Sequence, residues 1–345
     1  MATVLERIKR DMKQELEEHE IICMADVEQE DVKWLWPGLI PLGKVTILQG
    51  DPGLGKTTFA LQLAAIVSTG DSFPFVKDED DEKMGAGNVI FQTAEDGLGD
   101  TIKTRLVEAW ADCNRIFVID ESNEGLTLDD ERLRDAIQTL RPRLVVIDPL
   151  QAYLGAHNMY KVHEMRPVFH QLGDLAAEFG CAIVLIGHLN KTQGTKTVYR
   201  SSGSGDIVAA VRSVLTVGEV PGVKYQRAVV HTKSNLAPKA QTILFDLDPK
   251  QGFQWASLSD LSAEEVLNGQ NVRKEAPVRK GCEAFLKELL SNGPILAIEA
   301  MKATKANGFS EATVNRAKKA LSIKTIKGKG DGKFFWALKD SDNKS

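Results

Sequence analysis

The sequence predicts an α/β protein: a mainly parallel sheet covered by helices, extended by antiparallel strands, and followed by a small domain of helices and a hairpin. Three observations predict it. Short continuous apolar runs alternate with helical stretches from Trp34 to His188, the pattern of strands buried on both faces. After His188 four β-rich runs follow one another on short turns with no helix between them. From Arg273 onward the charge balance turns basic, with 16 Lys and Arg against 8 Asp and Glu in a chain whose net charge is −5.

The 345 residues suffice for one large domain or two ordinary ones. With 43% hydrophobic and 26% charged residues the composition is that of a soluble globular protein. The negative net charge excludes a wholly basic polyanion binder, so any nucleic-acid surface is local. Cys23, Cys113, Cys181 and Cys282 form no CxxC pair, which argues against a zinc finger and a disulfide scaffold. The charged N-terminus does not read as a signal peptide. The longest apolar runs reach about seven residues, far short of the ~20 that span a bilayer. The expectation is a cytoplasmic protein with no membrane partner.

The elements follow in order. Residues 1–30 place Leu5, Ile8, Met12 and Leu16 at helical spacing, a surface helix packed on the domain or an arm for a subunit contact. The main domain covers residues 31–260. "KVTILQG" is its first long strand and "KTTFALQLAAIVSTG" the helix after it. "KDEDDEK" is a solvated loop. "NVIFQTAED", "RIFVID", "RLVVIDPL" and "CAIVLIGH" are further buried strands, with helices expected over Thr101–Ala111, Asp129–Leu140 and Val162–Phe179. "SVLTVGEV", "QRAVVHTK", "QTILFDLD" and "FQWASL" are the antiparallel strands. Polar residues 261–278 read as a linker, and residues 279–340 as the second domain.

"GDPGLGKTT" fits GxxxxGK[ST], with Gly50, Gly55, Lys56 and Thr57 at the fixed positions. It follows a strand and opens a helix, the context of a phosphate-binding P-loop. Gly50, Asp51, Pro52, Gly53, Leu54, Gly55, Lys56, Thr57 and Thr58 are the candidate nucleotide-binding residues. Gly53 and Gly55 let backbone N–H groups curl around a phosphate at a helix N-terminus. Lys56 reaches the β- and γ-phosphates of ATP, and the Thr57 hydroxyl binds Mg²⁺. In "RLVVIDPL" four apolar residues carry Asp148 to the ligand edge of the sheet, where it holds the same ion. Hydrolysis needs a carboxylate that orients water, and Pro149 follows Asp148, so the base comes from elsewhere. Glu95 in "VIFQTAED" is best placed, with Asp96 as the alternative or as a helix cap. His188 ends an apolar strand, and three readings compete: a core histidine, a metal ligand, or a reader of something bound at the strand's tip. His157, His163 and His170 share no ligand spacing with it.

In this order, "WLWPGLIPLGKVTILQGDPGLGKTT", "AED" with Arg105-Leu106 downstream, "VVIDPL", "GHLNK" and "RSSGSGDIVAAVRSVLTV" followed by "HTKSN" resemble the RecA-like P-loop ATPases. Within them, the similarity is to the branch of RepA-type hexameric replicative helicases and phage, plasmid and prophage ATPases, over about Val32 to Leu258. The resemblance implies a ring, often a hexamer, with ATP between subunits. It makes Glu95 the catalytic carboxylate and His188 the γ-phosphate sensor. It makes residues 192–204 the loop that feels the sensor and faces the channel. That loop is polar and flexible in composition, and with Lys191, Lys196 and Arg200 it is suited to a DNA backbone or to plain solvation. A cation delivered to the neighbour's nucleotide is also required, with Arg212 and Lys233 as candidates. Related helicases place a Lys-x-Arg pair on such a strand, whereas Asn235 stands here, and Arg212 reads equally as a surface arginine.

The C-terminal stretch reads as helix, short helix, helix and hairpin. Cys282, Phe285, Leu286 and Leu289 share a face, Ser310 caps the third helix, and "IKTIKGKGDGKFFWAL" is two strands around a basic turn. It looks like a winged helix-turn-helix and resembles the tail of many ATPases of this branch. Asn315, Arg316, Lys318 and Lys319 would enter the major groove, with Lys327, Lys329 and Lys333 on phosphates; a protein-binding domain is the other reading. Phe334, Phe335 and Trp336 are expected in its core. The function expected is a DNA-dependent, ring-forming ATPase, a replicative helicase of a mobile element. An ATP-switched DNA-binding regulator or recombinase-like factor is the alternative, and a small-molecule kinase a third.

Overall fold

The computed structural model describes residues 21–76, 85–158, 161–188, 210–266, 281–291, 293–327 and 334–338. A short hairpin, β1 (Trp34–Trp36) and β2 (Ile40–Pro41), comes first. A nine-stranded sheet then collects β3 (Lys44–Gly50), β4 (Val89–Thr93), β5 (Ile116–Phe117), β6 (Leu144–Asp148), β7 (Ala182–His188), β8 (Ser213–Glu219), β9 (Gln226–Ser234), β10 (Thr242–Asp248) and β11 (Gly252–Ser259). Its spatial order is β11-β10-β9-β8-β3-β7-β6-β4-β5. From β8 to β5 neighbours run parallel, and from β8 to β11 they run antiparallel, which is the α/β class expected. Helices α1 (Lys56–Thr69), α2 (Lys103–Glu108), α3 (Glu131–Leu140) and α4 (Val162–Phe179) connect the parallel strands.

Side chains alternate across a strand, so each apolar run feeds two cores. Val146, Val184 and Ile186 pack with Phe59 and Leu63 of α1. Val145, Ile147, Ile183 and Leu185 pack with Leu133 and Ile137 of α3 and Phe169 and Leu172 of α4. This double burial is why these strands carry no polar alternation. On the α1 face Trp36 stacks on Phe59 and Phe73, and Trp255 meets Trp36, Phe59 and Phe253 edge-on with ring centroids 4.8–5.7 Å apart. Each such pair adds about 0.5–1.5 kcal/mol beyond its burial, so the cluster fastens β1 and the β10–β11 hairpin onto α1.

A buried polar chain crosses the same face. Ser213 Oγ donates to the Leu39 carbonyl at 2.7 Å, and His231 lies with Nε2 3.1 Å from that hydroxyl. The Ala240 N–H donates to His231 Nδ1 at 3.2 Å. Because the hydroxyl's one hydrogen is used on Leu39, Nε2 is the ring's donor and Nδ1 its acceptor. The ring is therefore neutral, and burial, with the Lys239 charge adding to it, pushes its pKa down to about 4.

Several sequence expectations change in detail. The helix expected from Thr101 is a π-helical turn, Leu98–Ile102, running into the short α2, and α3 begins at Glu131 with Asp130 accepting the Arg132 N–H. "RIFVID" contributes only the two residues of β5. Residues 1–20 of the N-terminal arm lie outside the described residues. Residues 21–32 are exposed and hold only a 3-10 turn, Met24–Asp26. Val266, read as linker, is buried against Val220, Ala228, Val230 and Leu244, so the ordered cover of the sheet continues that far.

The C-terminal module has its own core. Helix α5 (residues 281–289), α6 (Ala297–Ala306) and α7 (Glu311–Ala320) enclose Cys282, Leu286, Leu290, Ala300, Val314 and Ala317 together with Trp336. Strand β12 (Ile295–Leu296), which the sequence did not announce, joins β13 (Lys324–Lys327) and β14 (Phe334–Ala337) in the order β12-β14-β13. The Thr313 N–H donates to Ser310 Oγ at 3.3 Å, the expected cap. Trp336 is core as expected, but Phe334, at the first position of β14, is 52% exposed. No helix among the described residues is long and apolar enough to cross a membrane.

His231 sets a pH dependence. Its folded pKa lies below the ordinary 6.5, so its contribution is complete above pH 6.5 and is lost as the pH falls toward about 4. Urea unfolding across that window is expected to cost wild type up to about 3 kcal/mol more than His231→Gln, which keeps one donor and one acceptor.

Candidate active site

The site forms at the C-terminal edge of β3, β7, β6 and β4. Strand β3 ends on Gly50, where a Cβ would come within 2.7 Å of the Val217 carbonyl oxygen; only glycine lets β8 lie that close. Gly55, at φ 83°, turns the chain into α1, and a Cβ there would collide with Leu247 of β10. Between them the backbone makes the cradle that the spacing predicted.

Lys56 is only 5% exposed. Its Nζ donates to the Gly50 and Asp51 carbonyls at 3.0 and 2.9 Å. Burial lowers its pKa, while Asp148, Asp51 and Glu95 act in the opposite sense; the ammonium sits among three carboxylates. Thr57 Oγ1 donates to Asp148 Oδ2 at 2.6 Å. Asp148 is 6% exposed. Burial pushes its pKa up to about 6, with Glu95 and Asp96 adding to the rise and Thr57 and Lys56 opposing it. A hydroxyl and a carboxylate in contact at a phosphate cradle are hard oxygen donors and fit Mg²⁺, which takes one or two carboxylates and completes its shell with phosphate and water.

Backbone pairing places the remaining residues. Thr93 is opposite Asp148, and the Ala94 N–H donates to the Asp148 carbonyl at 3.0 Å. Glu95 is the next residue and is exposed at the same edge. Asp96 is held by Arg105 at 3.2 Å. His188 ends β7 opposite Gly50, and β7 separates β3 from β6, so its backbone lies between the cradle and the Asp148 strand.

Arg212 and Lys233 are not part of this edge. Ser213 pairs with Thr46, and Val214 with Lys233. Arg212 therefore stands about 16 Å down the sheet from Gly50 at ~3.3 Å per residue. Lys233 Nζ donates to the Val211 carbonyl at 2.8 Å, and burial and Arg212 both lower its pKa. Among the proposed DNA residues, Lys191, Lys196, Arg200, Lys329 and Lys333 lie outside the described residues. Arg316 and Lys319 are placed on α7 and Lys327 on β13 by backbone alone. Asn315 is exposed. Lys318 departs from expectation: its Nζ lies 3.8 Å from the centre of the Trp336 ring, so its charge faces the module's own core.

One feature was missed in the sequence. A cavity of about 610 Å³ lies beside the cradle, between Thr58 and Gln62 of α1, Arg105 and Glu108 of α2, and the β10–β11 turn around Pro249. Thr58 and Gln62 are one helical turn apart, a spacing that could have marked a shared face. The turn is far away in sequence and gave no local signal.

Residues 14–194, slightly more than half of the chain, match the family model described as an AAA domain. The chain is similar to the DNA repair protein RadA of Mycobacterium tuberculosis, 26% identical over 173 residues, which are 49% of this chain and 31% of the relative. The corresponding protein of Streptococcus pyogenes is 26% identical over 161 residues, 46% and 30% of the two chains. That of Halalkalibacterium halodurans is 27% identical over 160 residues, 45% and 29%. The match thus covers about a third of the length of these curated relatives. The fold and the cradle together are those of a RecA-like P-loop ATPase domain.

Holding Asp148 buried and charged weakens the fold. Its contribution is greatest below the ordinary carboxylate range and declines as the pH rises through about 6. Asp148→Asn is expected to raise unfolding stability at pH 8 by about 1–3 kcal/mol in urea titrations. The same variant is expected to lower Mg²⁺-dependent affinity for a fluorescent ATP analogue about tenfold or more.

Proposed function

We propose that this chain, which belongs to the AAA domain family, is an ATP-hydrolysing, ring-forming motor on DNA, a replicative helicase of a mobile element. The observation that carries the reading is the Thr57–Asp148 hydrogen bond, 2.6 Å long, with Lys56 buried beside it. One strand edge gathers the hydroxyl and carboxylate that would hold Mg²⁺ and the cation that meets the β- and γ-phosphates. Mg²⁺, when bound, neutralises charge on the phosphate oxygens. Lys56 leaves the Gly50 and Asp51 carbonyls for the phosphates, and the cavity by Thr58, Gln62 and Arg105 receives base and ribose. Glu95, exposed next to Asp148, orients the attacking water and takes its proton, whereas Asp96 is engaged by Arg105.

His188 reports phosphate loss from the end of β7. Arg212 and Lys233, remote from their own cradle, serve the nucleotide of a neighbouring copy in a ring, a hexamer by the resemblance. Lys191, Lys196 and Arg200 track DNA in the channel. The C-terminal module acts as a winged helix, with Asn315, Arg316 and Lys319 toward bases and Lys327 and Lys329 on phosphates.

The relatives' name, DNA repair protein RadA, favours a second reading: an ATP-switched DNA-binding regulator or recombinase-like factor without unwinding activity. ATPase assays with and without single-stranded DNA, paired with a forked-duplex unwinding assay, separate the two. DNA-stimulated turnover with strand separation supports the helicase, and stimulated turnover without it supports the alternative. Glu95→Gln is expected to lower turnover about 10²–10⁴-fold with nucleotide binding retained, and Lys56→Ala to lose both. Normal turnover in either variant overturns the site.

A further inference from the structure

Gln49 immediately precedes the cradle. It shares the α3/α4 face of β3 with Val45 and Ile47 and is 1% exposed. Its Nε2 donates to Thr216 Oγ1 at 3.1 Å. Thr216 Oγ1 lies 3.0 Å from Thr232 Oγ1, and Thr232 Oγ1 donates to the Val214 carbonyl at 3.1 Å. Each hydroxyl has one hydrogen, so the chain runs one way: Gln49 to Thr216, Thr216 to Thr232, Thr232 to Val214.

Thr232 owes its place to a β-bulge. Val214 pairs with Lys233 and Leu215 with His231, which leaves Thr232 as the extra residue. Bulges re-aim side chains and set the residues that follow. The next residue is Lys233, anchored on the Val211 carbonyl beside Arg212. From the level of Thr216 to that of Val214 the chain of hydroxyls runs about 7 Å along β8, away from the P-loop edge.

Gln49 Oε1 is buried without a hydrogen-bond partner among the described residues. A half-satisfied amide is a poor choice for packing alone, where an apolar side chain serves better. Position is the remaining reason for it.

We propose that Gln49 is a positioning residue which, through Thr216 and Thr232, ties the last strand residue before the P-loop to the bulge that sets Lys233 and Arg212. The cradle of one copy and the cations it offers to the next copy's nucleotide are then held in a single register. When a phosphate draws Lys56 from the Gly50 carbonyl, Gln49 is the side chain nearest the change that reaches β8. The inference rests on reading Arg212 and Lys233 as cations for a neighbouring site.

The test compares Thr216→Val, which keeps the shape and loses the hydroxyl, with Thr216→Ser, which keeps the hydroxyl. ATPase kinetics and titration with a fluorescent ATP analogue are measured on the full chain. Thr216→Val is expected to hold Kd and KM within about twofold while kcat falls about tenfold, and Thr216→Ser to recover most of kcat. A kcat for Thr216→Val within about twofold of wild type overturns the proposal. So does a parallel loss in Kd, which would mean that the hydroxyls only shape the cradle. If Thr216→Val does not fold, Thr232→Val and Thr232→Ser are judged by the same criteria. Arg212→Ala and Lys233→Ala separate the two layers of the argument. Unchanged kcat in both removes the neighbour-site reading and the proposal with it, whereas reduced kcat there with normal kcat in Thr216→Val removes the relay alone.

Discussion

The bond between the Thr57 hydroxyl and the Asp148 carboxylate is the constraint around which the large domain is arranged. It joins the first turn of α1 to the end of β6, two strands away across the sheet. For it to form, β7 must lie between β3 and β6, and β6 must deliver its carboxylate on the α1 face. The alternation of Val145 and Ile147 into one core and Val146 into the other achieves that, because Asp148 then shares the side of Val146. The carboxylate is thereby buried, with a pKa pushed up to about 6. The fold bears that strain at one point and recovers it in the two cores, the usual balance between a functional site and its scaffold.

Much of this was legible in the sequence. The P-loop spacing is a local signal, and it located Gly50, Lys56 and Thr57 without knowledge of the rest. The apolar runs ending in Thr93, Asp148 and His188 announced parallel strands, and pairing of Thr93 with Asp148 and of Gly50 with His188 brings those ends to one edge. Helix α2 was overestimated because apolar spacing continues past Glu108, while the backbone turns at Trp110 with φ 60°. Strand β12 is two residues long, too short for any period to show.

The other features that escaped share one cause: they depend on residues far apart in the chain. The cavity beside Thr58 needs the β10–β11 turn, and the His231 chain needs Leu39. Lys318 looked like a groove-facing cation because helical spacing set it apart from Ala317 and Leu321. Trp336, on a strand that follows, supplied an aromatic face that no helical wheel contains. The two buried polar chains also escaped for this reason. They occupy opposite faces of β8, since Ser213 and Thr216 differ in parity, so each can be altered without the other.

Lys56 has a consequence of a different kind. With Gly50 and Asp51 accepting from its ammonium, the loop is braced by contacts within the chain itself. The entropy of ordering those residues is met during folding rather than on association. Entry of the ligand is then an exchange of acceptors, two carbonyls for phosphate oxygens, and departure is the reverse exchange. A cradle of that kind gives up some affinity and gains reversibility: the vacated lysine has somewhere to return, which suits a protein that must release its ligand as regularly as it takes it up.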